Sequence, residues 1–129
     1  MLKRTLVIAV IVAPIVIATA SAQQPSITRT PLQTVDFPPG YQTVSVIAEI
    51  APGPCIGRHT HPGIESTYAM EGEVVVKIDG KPDQVVKAGS SIQFAPGLVH
   101  DVCNMSGRAY KALAVYVVEK GKPLASPAP

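Results

Sequence analysis

An all-β fold, a sandwich or a closed barrel, is what this sequence predicts, and three observations predict it. Beyond the first two dozen residues no apolar stretch keeps a convincing helical period. Short runs of alternating or continuous apolar residues recur instead. Gly and Pro punctuate them every eight to twelve residues, the spacing of turns between short strands.

The elements follow in order. Residues 41–50 (YQTVSVIAEI) alternate, with Val44, Val46, Ala48 and Ile50 on one face. Residues 73–79 (EVVVKID) do the same through Val74, Val76 and Ile78, and Gly80-Lys81-Pro82 then turns the chain into a return strand over 83–88. Runs at 91–95, 98–104 and 110–118 complete the set. The last is apolar on both parities from Ala112 to Val118 apart from the Tyr116 hydroxyl, which predicts a central strand covered on both faces. Residues 23–31 and the tail 121–129 (GKPLASPAP) are rich in Pro, Ser and Ala, and are expected to be extended and mobile.

The N-terminus stands apart from the domain. Lys3 and Arg4 precede an apolar run over 6–18, and Ala20-Ser21-Ala22 supplies a small-x-small cleavage pattern. These are the parts of a secretory signal peptide cut after Ala22. The apolar run is shorter than the roughly 20 residues of a membrane span, and Pro14 interrupts it. The expected organisation is therefore 1–22 signal peptide, 23–31 extended segment, 32–120 domain and 121–129 flexible tail, in a secreted or periplasmic protein. Removing the leader leaves nine basic against nine acidic residues. A balance near zero offers nothing to nucleic acid or to an anionic membrane surface.

Cys55 and Cys103 are the only cysteines, and one bridge is possible in an oxidising compartment. If a strand extended back from His59, Cys55 would face inward, whereas Cys103 has the opposite parity to His100 and would face outward. That reading favours two small buried or half-buried thiols over a disulfide.

The three histidines carry the chemistry. His59 and His61 lie in GRHTHPGIE, and two residues apart on a strand they share a face. Glu65 follows after the Pro62-Gly63 bend, and His100 follows the Pro96-Gly97 turn. Imidazole and carboxylate together suit a borderline divalent ion: Fe, Mn, Ni, Cu or Zn. Arg58 and Thr60, of opposite parity, should point away from it. Tyr68, Met70, Gln93, Phe94, Val102 and Tyr116 are candidates for lining a cavity around it.

As a spacing, Gly53, His59, His61, Glu65 and Gly72 match G(x)5HxH(x)3E(x)6G at every defined position. Gly89, Gly97, His100 and Asn104 match G(x)5PxG(x)2H(x)3N, except that Ala95 stands at the proline position and Pro96 follows it. The chain thus resembles the cupin superfamily over Gly53 to Asn104. The resemblance implies a jelly-roll (double-stranded β-helix) barrel holding one metal through His59, His61, Glu65 and His100, although a carboxylate at the Glu65 position can also hydrogen-bond instead of coordinating. Asn104 would close the second hairpin by a hydrogen bond.

Cupins host many chemistries, so the function expected from the site has alternatives. The first is a metal-dependent oxidoreductase of dioxygenase type acting on a small enolic, phenolic or diketone-like compound, with Glu65 also moving a proton. The second is a non-enzymatic module that binds metal or a small ligand, and the third a Lewis-acid isomerase. A homodimer is a further expectation, with Ile47 on the outward face of 41–50 suiting a sheet-extending contact.

Overall fold

The computed structural model describes residues 27–129; the leader and its cleavage site lie outside the described residues. Among the described residues ten strands form two five-stranded antiparallel sheets. They are β1 (Ile27–Val35), β2 (Tyr41–Ile50), β3 (His59–Thr60), β4 (Gly63–Glu71), β5 (Glu73–Ile78), β6 (Gln84–Lys87), β7 (Ser91–Phe94), β8 (His100–Cys103), β9 (Tyr110–Glu119) and β10 (Ser126–Pro127). One sheet runs β1-β2-β9-β4-β7 and the other β10-β3-β8-β5-β6. There is no helix among the described residues, so none is long and apolar enough to cross a membrane.

Alternation places the core. Val46, Ala48 and Ile50 of β2, Val74 and Val76 of β5, and Tyr110, Ala112, Ala114, Tyr116 and Val118 of β9 all point inward and are buried. Strand β9 is central, between β2 and β4, as its apolar character predicts. Its other face is half-buried rather than covered, with Leu113 and Val115 lining a shallow outward groove.

The structure departs from the sequence reading in several places. Strand β4 is not legible as a strand because its inward positions are Gly63, Glu65, Thr67 and Ala69, two of them polar, and this erases the apolar alternation. Gly63 is required there by close approach: a Cβ would lie 1.9 Å from the Val117 carbonyl oxygen on β9. Of the segment 23–31, expected to be extended and mobile, the part from Ile27 onward is extended but held in edge strand β1, paired along β2 with a bulge between Pro31 and Gln33. Because β1 covers it, β2 has no free edge, and a sheet-extending contact through Ile47 is closed off. The tail, expected to be mobile, pairs with β3 through Ser126–Thr60 and Pro127–His59.

Cys55 and Cys103 form a disulfide between facing positions of an isolated antiparallel bridge. Cys103 leaves the barrel interior as its parity requires, since Val102 lines the cavity instead. The parity of Cys55 fails because residues 56–58 belong to no strand, so nothing carries alternation from His59 back to it. The segment before β3 folds over the outside of β8, with Ile56 N–H donating to the Val102 carbonyl at 2.9 Å.

Candidate metal centre

Two core clusters meet at the site. Phe94 of one stacks on the His100 ring, with centroids 3.8 Å apart and planes 13° from parallel. Tyr116 of the other lies 5.1 Å from the His61 ring. His59 and His100 face each other directly across the β3–β8 pair. Glu65 comes from the opposite sheet, in register with Tyr116 on β9 and Phe94 on β7. All four candidate ligands are buried.

The turn before His100 explains the displaced proline of the second motif. Leu98 N–H donates to the Ala95 carbonyl at 3.1 Å. Pro96 takes the second position and Gly97, with φ of 71°, the third, which is the type II arrangement. Gly97 N–H also donates to the His61 carbonyl at 3.0 Å, fastening this turn to the first ligand segment. Asn104 acts as expected, donating to the carbonyls of Ile50 at 2.8 Å and Arg108 at 2.7 Å.

Each imidazole is oriented by a backbone carbonyl. The Nδ1 atoms of His59, His61 and His100 lie 2.8, 2.6 and 3.0 Å from the carbonyls of Gly57, Leu124 and Leu98. A carbonyl only accepts, so each Nδ1 carries a proton, and in the neutral ring each Nε2 then presents a lone pair. The three rings converge with ligand atoms within 4.8 Å of one another. The Nε2 atoms of His61 and His100 are buried without a hydrogen-bond partner. Yet Glu65 Oε2 stands 2.7 Å from His61 Nε2 and 3.7 Å from His100 Nε2. Acceptors this close, away from water, need positive charge between them, supplied by further protonation or by a cation. Three neutral imidazoles with Nδ1 tied down are the donor set of a borderline divalent ion, and the His59, His61 and His100 group could hold one.

Glu65 is aimed as well as placed. Its Oε1 accepts from the hydroxyls of Thr67 at 2.8 Å and Tyr116 at 3.1 Å, leaving Oε2 toward the histidines. Burial pushes its carboxyl up, but His100, His61 and the Thr67 hydroxyl outweigh that and hold it well below the usual carboxylate range. Burial, and then the Glu65 charge, pushes the Tyr116 phenol well above its ordinary value, so it stays a donor. Burial lowers His59, which favours the neutral ligand form.

Of the residues named as cavity candidates, Phe94, Val102 and Tyr116 line the inner cavity. Tyr68, Met70 and Gln93 lie on the outside. Arg58 also points outward, paired with Asp79. Sequence reasoning missed Thr67, Arg29 and the Leu124 carbonyl. Thr67 alone carried a signal, standing two residues from Glu65 on the same strand face.

The cupin domain family model matches residues 46–116, more than half of the chain, and the chain belongs to the cupins. Among solved structures, it superposes on an uncharacterised double-stranded β-helix protein of Klebsiella pneumoniae with a TM-score of 0.64 and 21% identity, covering 80% of this chain and 84% of that one. A DMSP lyase, DddQ, of Ruegeria pomeroyi gives 0.68 and 16%, covering 79% of this chain and 51% of the lyase, about half its length. An oxalate oxidase in complex with glycolate gives 0.61 and 21%, covering 84% of this chain and 57% of the oxidase. At such identities the likeness is one of fold. No curated protein matches in sequence.

Proposed function

We propose that this cupin is a secreted, metal-dependent oxidoreductase of dioxygenase type that acts on a small enolic, phenolic or diketone-like compound. One divalent first-row ion (Fe, Mn, Ni, Cu or Zn) is held by His59, His61, His100 and Glu65. The observation that supports the metal assignment is the set of three Nδ1–carbonyl bonds, which leaves the Nε2 atoms to converge, those of His61 and His100 beside a buried carboxylate. When bound, the ion supplies Lewis acidity and, if redox-active, electrons for dioxygen.

The chain's own residues do the rest. The apolar wall formed by Ala48, Ile50, Val74, Val76 and Ala112 excludes water from the reacting end of the substrate. Tyr116 and Thr67 hold Glu65 in one orientation, with Oε2 left free either to join the ion or to move a proton. The leader pattern supports export, and the Cys55–Cys103 bridge suits an oxidising compartment.

Oxygen uptake by metal-replete protein over a panel of small enols, catechols and diketones tests this reading. Uptake abolished by chelation is the expected result; inertness over the whole panel contradicts it. A binding module is the second reading, favoured by the small inner cavity of about 40 Å³. Ligand-induced thermal shifts without turnover would select it.

A further inference from the structure

The reading above leaves Arg29 without a role. It stands on β1 opposite Ala48 and lines the same inner cavity as His59, Glu65 and Tyr116. Its Nε is buried with no hydrogen-bond partner, and its guanidinium meets the neutral Tyr116 hydroxyl rather than a counter-ion. Among the described residues the ion pairs join other side chains, and none includes Arg29. Residues 1–26 contain no Asp or Glu, so no side-chain carboxylate can reach it from that segment either. Glu65 does not serve, because its Oε1 is taken by Thr67 and Tyr116 and its Oε2 faces the histidines.

A guanidinium stays charged at any ordinary pH, and half-burying one without a counter-ion is unfavourable. Here it is held against a largely apolar wall, on the border between two spaces. Behind it lies the inner cavity of about 40 Å³. In front lies an outer cleft of about 470 Å³, bounded by the C-terminal strand; Ile27, Arg29, Ile56 and His59 line both. The inner space has room for roughly three water-sized positions, so it admits the end of a short molecule and no more. The planar fork of an arginine matches a carboxylate.

We propose that Arg29 is a specificity residue and that the site takes a short organic acid of roughly two to four carbons. The carboxylate seats on Arg29 while the oxygenated carbon end enters toward His59, Glu65 and His100. Within the proposed function this selects enolisable short acids and sets the phenols aside; it rests on that reading for the site, whereas the Arg29 contact does not depend on the ion.

Calorimetric binding to metal-replete and chelator-treated protein tests it, with metal content measured on the same samples. The probes are glycolate, pyruvate and oxalate, the neutral analogues glycolamide and methyl pyruvate, and inorganic sulfate. Wild-type protein should bind the acids about 10- to 100-fold more tightly than the neutral analogues. Arg29→Met should erase that preference, Arg29→Lys should keep part of it, and both should retain the wild-type metal content. Acids bound no better than neutral analogues, or an unchanged preference in Arg29→Met, would overturn the proposal, and the wild-type comparison decides even if a variant does not fold. Sulfate bound as tightly as the acids would overturn the organic-acid assignment. Full metal with no acid preference defeats this inference alone. Acid preference in protein that takes up no metal defeats the metal reading alone.

Discussion

The C-terminal tail is part of the candidate metal centre, and deleting residues 122–129 should show it. The deletion removes the Leu124 carbonyl that accepts the His61 Nδ1 proton at 2.6 Å. It also removes the Ser126 and Pro127 pairing with β3, the Ala128 N–H bond to the Arg58 carbonyl and the Pro129 carbonyl that accepts from Arg58 Nε. Losing the group that orients a ligand imidazole typically lowers metal affinity about 10- to 100-fold, or about 1.4 to 2.7 kcal/mol. Leu124 is partly buried against Val46, Ala114, Tyr116 and Val118, and giving up that contact costs about 1 kcal/mol of stability. Leu124→Ala separates the two effects, since it keeps the carbonyl and loses only the packing. Competition with a chromophoric chelator should therefore find weakened metal binding in the truncation and near wild-type binding in Leu124→Ala. Denaturant titration should find both less stable. A truncated chain that holds metal within about twofold of full length would refute the reasoning.

Tyr116→Phe removes one of two donors to Glu65 Oε1, and should cost about 1 to 2 kcal/mol of stability in denaturant titrations while weakening metal binding less than loss of a ligand does. For metal-free protein, stability should fall on acidification. His59 is depressed by burial, so its contribution is complete above the ordinary histidine value near 6.5 and declines as pH falls below it. Glu65 is depressed too, so its contribution declines below the ordinary carboxylate value near 4.3. Unfolding free energy should decrease from pH 5 to pH 3, the range in which the Glu65 contribution is lost, and a flat profile there would speak against its environment. The Cys55–Cys103 bridge closes a separation of 48 residues, for which the chain-entropy model gives about 4 kcal/mol as an upper figure. The Cys55→Ser, Cys103→Ser double variant should show most of that loss, and unchanged stability would contradict it.

The convergence of the three histidines was legible in the sequence because each position rests on local geometry. His59 and His61 need only strand parity, and His100 only a turn ahead of it. What was hidden depends on which strands meet. Arg29 matters because β1 pairs with β2, and the unremarkable TR pair in a Pro- and Thr-rich run says nothing of that. The Leu124 carbonyl is a backbone atom, and no residue type announces it. Strand β4 was obscured by the site itself, since Glu65 and Thr67 occupy the inward positions where an apolar residue would have signalled a strand. Cys55 misled for the opposite reason: parity was extended across residues 56–58, where there is no strand to carry it.

The metal centre is tested most directly by elemental analysis of protein matured in its native compartment, beside the His100→Ala variant. The three converging histidines, two of them facing Glu65 Oε2, predict close to one first-row divalent ion per chain in the wild type. The variant should stay folded and lose nearly all of it. Wild-type protein without stoichiometric metal, or a variant that retains it, would contradict the account.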